Sequence, residues 1–278
     1  MELKSRAKIN IGLHVHNLRS DGFHNISTLF QEISLHDSIK IEEADNFSCK
    51  TDCGNIPESD NFCTKAFRIA KKLNPELPNV SISINKAIPM NAGLGGGSSN
   101  GTAVLKGLND LFNLSLDKNT LSLIAKEISS DSTFFIDGGL QFGTQRGEKL
   151  EPVKNIELPK HILLIHPNIK VSTKTAFNQL KNHLLNENMD INLSKLLREL
   201  KNNNFNSKLF KNDFEMYVFE THPEIGAIKL KIKDFGAQYA SLSGTGSTVF
   251  GIFFSKKDLL KAQSFFSPHY STYYVNPI

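Results

Sequence analysis

Between residues 7 and 15 apolar and polar positions alternate. Ala7, Ile9, Ile11, Leu13 and Val15 fall on one side, and Lys8, Asn10, Gly12 and His14 on the other. A period of two is that of a half-buried strand, and it points Lys8 and Asn10 the same way. After the turn signal Ser20-Asp21-Gly22, apolar residues resume at Phe23, Ile26, Leu29, Phe30, Ile33 and Leu35, which predicts a further extended segment closing a sheet. Phe62, Ala66, Phe67, Ala70 and Leu73 recur at helical spacing until Asn74-Pro75 stops them. Val80, Ile82 and Ile84 then alternate as a strand, the glycine-rich stretch 93–97 follows, and a helix with Ala103, Val104, Leu108 and Leu111 on its buried face comes next. A second helix is predicted over 117–128. Ser129-Ser130-Asp131 opens a short third one, and Gly138-Gly139 makes a turn.

Periodicity weakens across 147–160, where Gly147, Glu148, Pro152 and Pro159 gather, so the pattern divides the chain into domains at 1–152 and 153–278. The second half begins afresh, with a strand at 162–165, helices near 174–186 and 191–200, a helix opened by Pro223, and strands at 237–243 and 248–254. This is a mixed α+β arrangement. Asn202-Asn203-Asn204 is a solvated loop or frayed helix end, and no internal repeat is found.

With 278 residues, 39% of them hydrophobic, the chain has material for one large domain or two modest ones. Its 32 basic and 28 acidic residues are scattered, whereas nucleic-acid binders concentrate Lys and Arg on one face. The expectation is a weakly basic protein with an anionic small-molecule ligand, no nucleic acid and no membrane partner. Cys49, Cys53 and Cys63 lack zinc-binding spacing and are expected as free thiols in a reducing cytoplasm. No stretch approaches the roughly 18 apolar residues a membrane span needs, and the first ten residues do not resemble an export signal.

The segment 89–99, Pro-Met-Asn-Ala-Gly-Leu-Gly-Gly-Gly-Ser-Ser, changes the picture most. Glycines free the backbone for close approach to a ligand where a helix begins, so unpaired amides and the positive helix end face one place. Such a site suits polyphosphate, and Ser98 or Ser99 adds a hydroxyl for phosphate oxygens or the accompanying magnesium ion. No Lys follows the final glycine, as a Walker-type loop requires, and Ser98 stands in place of the last glycine of the dinucleotide fingerprint. A different phosphate-binding architecture is called for. Taken alone, 243–247 (Ser-Gly-Thr-Gly-Ser) is a hairpin turn, Asp131 a helix cap and Lys8 a solvent-facing strand residue.

Taken together and in order, Lys8-Ile9-Asn10, the 89–99 loop, Asp131 ahead of Phe134-Phe135, and the 243–247 loop resemble the signatures of the GHMP kinases. Those are named for galactokinase, homoserine kinase, mevalonate kinase and phosphomevalonate kinase. Ala7-Lys8-Ile9-Asn10-Ile11-Gly12-Leu13, Asp21-Gly22-Phe23-His24 leading into Thr28-Leu29-Phe30-Gln31, and the long form Gly93-Leu94-Gly95-Gly96-Gly97-Ser98-Ser99 resemble one branch of them. The acceptor of that branch is a methylerythritol carrying a cytidine diphosphate.

The resemblance implies an α+β, two-domain fold: an N-terminal half like the second domain of ribosomal protein S5, a ferredoxin-like C-terminal half, and an active site in the cleft between them. It implies phosphorylation of the acceptor's 2-hydroxyl by ATP with Mg2+, in the non-mevalonate isoprenoid route. By matching position, Lys8 and Asp131 are catalytic and, with Asn10, surround the hydroxyl. His24 hydrogen-bonds the cytosine, Phe23 and Phe177 stack on its faces, and Thr173 joins the substrate set. ATP falls to Asn61 and Lys86 near the adenine, to Pro89, Met90, Asn91, Ala92, Gly93, Leu94, Gly95, Gly96, Gly97, Ser98 and Ser99, and to Gly244 and Gly246. Three departures stand out: Phe23 for the usual tyrosine, Ser132-Thr133 for valine and proline, and Ser130 for a small apolar residue. The expected acting species is a cytoplasmic monomer or weak homodimer. Two rivals are a GHMP kinase for another small alcohol, which offers no base to stack, and a catalytically silent nucleotide- or RNA-binding module, against which Lys8 and Asp131 weigh.

Overall fold

The computed structural model describes residues 1–53, 56–57, 60–180, 193–205 and 208–278. In chain order these form β1 (Glu2–Leu18), β2 (His24–Glu43), β3 (Ser48–Thr51), α1 (Phe62–Leu73), β4 (Val80–Asn85), α2 (Gly96–Leu111), α3 (Lys118–Ile128) and α4 (Phe134–Asp137). There follow β5 (Leu140–Thr144), β6 (Lys149–Pro152), β7 (His161–His166), α5 (Thr173–Leu180), α6 (Leu193–Lys201), α7 (Phe214–Thr221), α8 (Pro223–Asp234), β8 (Tyr239–Leu242), β9 (Val249–Phe253), α9 (Lys256–Phe266) and β10 (Ser271–Val275). They pack into two compact units, each assembled from separate stretches. One comprises Met1–Ala7, Leu35–Met90 and Gly95–Gly138; the other comprises Lys8–Ser34, Asn91–Leu94 and Gly139–Ile278.

In the first unit β4 lies antiparallel to the latter part of β2, Ser38 opposite Asn85 and Glu43 opposite Val80, and parallel to β3. Ile39, Ile41, Val80, Ile82 and Ile84 from these strands form one core with Phe67 and Ala70 of α1, Val104 and Leu108 of α2, and Ile124 and Ile128 of α3. The ends of α1 follow from its sequence. Asn61 caps it by accepting from the Cys63 amide, and the chain leaves helical geometry at Asn74. Along α2 the buried stripe takes in Leu105, while Ala103 and Leu111 are only half-buried. Ser98 to Thr102 are buried as well, so the first turns of α2 are covered on their polar side.

The second unit carries a four-stranded antiparallel sheet in the order β10-β7-β9-β8. Numbered along this half the order is 4-1-3-2, with helices between the first and second and between the third and fourth strands, which is the split β-α-β arrangement of ferredoxin-like domains. Ile162 to Ile165 are all buried, because the sheet is covered on both faces and the strand needs no polar side. In the same unit the first part of β2 pairs with β5, and β5 with β6. The helix expected near 174–186 is α5, and 181–186 lie outside the described residues; that expected at 191–200 is α6, with 191–192 likewise outside. The chain also forms α7, α9 and β10, which its weak periodicity did not announce.

Strand β1 is a correction. It is buried on both faces from Ala7 to Val15, so Lys8 is an interior residue and not a solvent-facing one. The polar face is tolerated because it is hydrogen-bonded. At Gly12 the amide donates to Tyr239 Oη at 3.0 Å, and that hydroxyl donates to the Phe210 carbonyl at 2.7 Å. Gly12 holds φ +68°, and a Cβ there would lie 2.9 Å from the Leu209 carbonyl oxygen. Burial pushes the Tyr239 phenol far above its ordinary pKa, so it stays a neutral donor. Cys49, Cys53 and Cys63 are free thiols, and no helix among the described residues is long and apolar enough to cross a membrane.

Tyr239→Phe leaves a buried amide and a buried carbonyl without partners, at about 1–3 kcal/mol for each group. The expected result is a lower urea midpoint with an unchanged denaturant slope. An unchanged midpoint would show that this hydroxyl does not hold β1.

Candidate active site

Lys8 and Asn10 lie on the same face of β1, as the alternation requires. Lys8 is 4% exposed, its ammonium donates to Asn10 Oδ1 at 2.7 Å, and it stands 5.2 Å from the Phe30 ring centre. Asn10 Nδ2 donates to Thr28 Oγ1 at 3.1 Å, and Thr28 in turn donates to the Gly12 carbonyl at 2.6 Å. That order leaves the amide of Asn10 one orientation, oxygen to Lys8 and nitrogen to Thr28, since an ammonium cannot accept and the Thr28 hydrogen is committed. The Lys8 amide is tied to the Leu94 carbonyl at 3.0 Å, which brings the Asn91–Leu94 segment of the glycine loop to the same strand.

Asn91, Gly93 and Gly95 hold φ of 55°, 76° and 69°. The turn 243–248 is a β8–β9 hairpin, closed by Ser243 N to Thr248 O at 2.9 Å, and it is a close backbone approach too. Ser243 Oγ donates to the Gly93 carbonyl at 2.9 Å, Thr248 N donates to Ala92 O at 3.3 Å, and Gly244 stacks on the Gly93 backbone. A Cβ on Gly93 would fall inside the Ser243 carbonyl oxygen. Helix α2 opens at Gly95 without a side-chain cap, and its first internal bond is Ser99 N to Gly95 O. The amides of Gly96, Gly97 and Ser98 precede that bond, which is the donor array an anion takes.

The first unit positions the remaining residues of the expected ATP set and Asp131. Asp37, fully buried, pairs with Lys86 and accepts from the amides of Ala87 and Ile88 at 2.8 Å each, so one carboxylate pins the chain entering the loop. Gly96 fits against Ile88, and its missing Cβ would lie 3.4 Å from Lys86 Nζ. Asn61 spends its side-chain oxygen on the α1 cap at 2.9 Å. Pro89 and Met90 complete the entry to the loop, Met90 being 42% exposed. Asp131, half-buried, sits in a turn ahead of α4 and its carbonyl accepts from Phe134 N at 3.2 Å. Ser132 and Thr133 thus carry no helix start at Asp131; α4 opens at Phe134.

Around the expected base site, His24 is 6% exposed. Its Nδ1 meets the His16 carbonyl at 2.8 Å, which requires a hydrogen on Nδ1 and makes Nε2 an acceptor in the neutral ring. That Nε2 is buried and has no partner among the described residues. Phe177 stacks on the His24 ring with centroids 5.8 Å apart and an interplanar angle of 23°, and is braced edge-on by Phe214. Phe23 is 49% exposed and one face of its ring carries the Arg146 guanidinium at 3.7 Å. Thr173 Oγ1 is 3.0 Å from Thr245 Oγ1, linking α5 to the hairpin between Gly244 and Gly246.

Three supports escaped sequence reasoning. Asp37 is one polar residue in a strand. Asn212, fully buried, donates to the carbonyls of Leu242 and Gly244 at 2.8 and 2.9 Å and accepts from Phe214 N, so it sets the 243–247 hairpin from outside any motif. The third is the set of hydroxyls of Ser98, Ser129 and Ser132, in which Ser129 lies within hydrogen-bond distance of the other two. The only sequence signal for the last was the run of four hydroxyl residues flanking Asp131.

Residues 61–139 match the GHMP kinases N terminal domain, and residues 184–272 match the GHMP kinases C terminal domain. The 4-diphosphocytidyl-2-C-methyl-D-erythritol kinase of Thermodesulfovibrio yellowstonii is 36% identical over 271 residues, covering 96% of this chain and 94% of the relative. The enzyme of the same name from Parabacteroides distasonis is 38% identical over 264 residues, 94% of each chain. The crystal structure of a 4-(cytidine 5'-diphospho)-2C-methyl-D-erythritol kinase superposes with a TM-score of 0.85 at 26% identity, covering 100% of this chain and 99% of that one.

Gly93→Ala meets both a left-handed backbone, which costs an L-residue roughly 1–2 kcal/mol, and the Ser243 carbonyl. Gly97→Ala meets only the Phe62 ring, at 3.3 Å, with ordinary backbone angles. Gly93→Ala is therefore expected to lower the unfolding midpoint clearly and Gly97→Ala hardly at all. Equal midpoints for the two variants would show that the loop yields at Gly93.

Proposed function

The chain belongs to the 4-diphosphocytidyl-2-C-methyl-D-erythritol kinases of the GHMP family, and on that footing we propose that it transfers the terminal phosphoryl group of ATP to the 2-hydroxyl of 4-diphosphocytidyl-2-C-methyl-D-erythritol, in the non-mevalonate isoprenoid route. The observation that carries the choice of acceptor is His24. A buried ring nitrogen that accepts, has no protein partner and lies beside an aromatic face suits a nucleobase with an exocyclic amine. Cytosine supplies that amine; a plain small alcohol does not. Phe23 and Phe177 supply stacking faces, and Thr173 lies at the same side of the second unit.

Phosphoryl transfer has a loose transition state, so catalysis is placement and charge stabilisation. The amides of Gly96, Gly97 and Ser98 receive phosphate oxygens, and the segment 89–95, Gly244 and Gly246 give the backbone room for them. Asn61 and Lys86 lie on the adenine side. Asp131 accepts the hydrogen bond of the acceptor hydroxyl and takes its proton late. Lys8, held by Asn10, stabilises negative charge on the attacking oxygen. Of Ser98 and Ser99, Ser98 offers a hard oxygen donor of the kind Mg2+ accepts beside phosphate, since the Ser99 hydroxyl is engaged with Ser5, so Ser98 fits the ion, which when bound neutralises the polyphosphate charge. We place the reaction in the cytoplasm, carried out by a monomer or weak homodimer.

ADP release from MgATP is to be measured with 4-diphosphocytidyl-2-C-methyl-D-erythritol beside mevalonate, homoserine and galactose. Turnover with the first alone is expected. Turnover with another alcohol would keep the kinase and discard this acceptor, and silence with all four from protein that binds ATP would favour a binding module. Asp131→Asn removes the proton acceptor while keeping the shape, so turnover should fall about 10²–10⁴-fold with substrate affinity largely kept. Near-normal turnover in this variant would remove Asp131 from the chemistry.

A further inference from the structure

The hydroxyls beneath the first turn of α2 form a directed chain. Ser129 Oγ donates to Ser98 Oγ at 2.8 Å, and Ser129 Oγ and Ser132 Oγ are 2.7 Å apart. A serine hydroxyl has one hydrogen to give. Since that of Ser129 goes to Ser98, Ser132 is the donor in the other bond, and the chain runs from Ser132 through Ser129 to Ser98. Ser132 Oγ is also 3.3 Å from the Ser98 carbonyl, a longer contact than its 2.7 Å to Ser129 Oγ. The hydrogen of Ser98 is the one left over. Its Oγ donates to none of the described residues, although the side chain is only 8% exposed and stands where the first free amides of α2 lie.

Ser99 is placed differently. It is 3% exposed and its Oγ is 2.7 Å from Ser5 Oγ, which also reaches Asn100 Oδ1 at 2.7 Å, so the Ser99 hydroxyl is engaged inside the protein. Building on the kinase reading above, we infer that Ser129 and Ser132 are positioning residues that hold Ser98 as an acceptor from below and so aim its hydrogen at an anionic phosphoryl oxygen of the nucleotide. Hydroxyl chains polarise their members, so Ser98 at the end of this one is a better donor than a lone serine. Ser129 and Ser132 bracket Asp131 in the chain, and their bond closes the turn that carries it, together with Ser132 N to Ser129 O at 3.2 Å.

The test is a double-mutant cycle on MgATP binding by calorimetry, with the full chain and no acceptor present. Ser98→Ala should weaken binding about tenfold, as expected for one hydrogen bond to a charged group. Ser129→Ala should weaken it about three- to tenfold, since orientation is lost but the Ser98 hydroxyl stays. In the Ser98→Ala background, Ser129→Ala should cost nothing further, because it acts only through Ser98. An equal loss from Ser129→Ala in both backgrounds, or no loss in the wild type, overturns the inference and makes these serines merely structural. If Ser129→Ala does not fold, Ser129→Cys keeps the shape with a weak donor and enters the same cycle. Wild-type protein that fails to bind MgATP overturns the nucleotide reading and this inference together, whereas additive losses in a binding-competent series overturn this inference alone.

Discussion

Lys8 is 4% exposed in the middle of a strand. An ammonium removed from water costs several kcal/mol unless partners meet its donors, so the neighbours of Lys8 are not free to vary. Asn10 must turn its oxygen to Lys8; its nitrogen then needs an acceptor and finds Thr28 on the adjacent strand; Thr28 in turn needs one and finds the Gly12 carbonyl. The amide of Gly12 goes to Tyr239, and Tyr239 goes to Phe210. One buried charge thus accounts for a polar path from β1 through β2 to the C-terminal sheet, and for why a strand can be buried on both faces while only one is apolar. It also makes the Lys8 side chain stiff. A lysine whose partner is fixed by further bonds of its own does not search rotamers, the kind of placement that the proposed role of Lys8 requires.

A second constraint is steric. The glycine loop and the 243–248 hairpin meet backbone to backbone, at a distance that excludes even one carbon at Gly93. Loops of this composition are flexible when solvated, but here the carbonyls of Ala92 and Gly93 accept from Thr248 N and Ser243 Oγ of the hairpin, and Asn212 fixes the hairpin from behind. Glycine serves less to let the loop move than to let two segments approach, and the first internal bond of α2 comes only at the Ser99 amide. The buried Asp37 does the corresponding work on the side where the chain enters.

Periodicity made α1, β4, α2, α3, β7, α8, β8 and β9 legible, because each has an apolar stripe bounded by a breaker or cap, as Asn61 and Asn74 bound α1. Helices α7 and α9 and strand β10 were not, since Phe214–Thr221 is apolar on nearly all sides and Ser271–Val275 is an edge of half-buried tyrosines with no alternation to read. In the site, the residues inside motifs were legible and their supports were not. Asp37, Asn212 and Tyr239 are single polar residues among apolar ones, and their role comes from partners 29 to 227 positions away in the chain, which no local pattern encodes. Exposure was misjudged for the same reason: alternation tells which residues share a face, not whether the polar face meets water or a second layer of hydrogen bonds.

The turn at Asp131 shows that a position can be held in two physically different ways. Where the resembled pattern has valine and proline after the aspartate, this chain has Ser132 and Thr133. A proline stiffens a turn by restricting the unfolded chain, and its effect is indifferent to what binds nearby. A hydroxyl pair stiffens only the folded state, and the strength of each bond depends on what the rest of the hydrogen-bond chain meets. Ser129 and Ser132 therefore place the turn under the influence of the group at the far end, Ser98, as proline would not. An anion that takes the Ser98 hydrogen strengthens the bonds behind it, and those bonds close the turn carrying Asp131. On the inference drawn above, nucleotide and carboxylate would be coupled through three side chains of one compact unit.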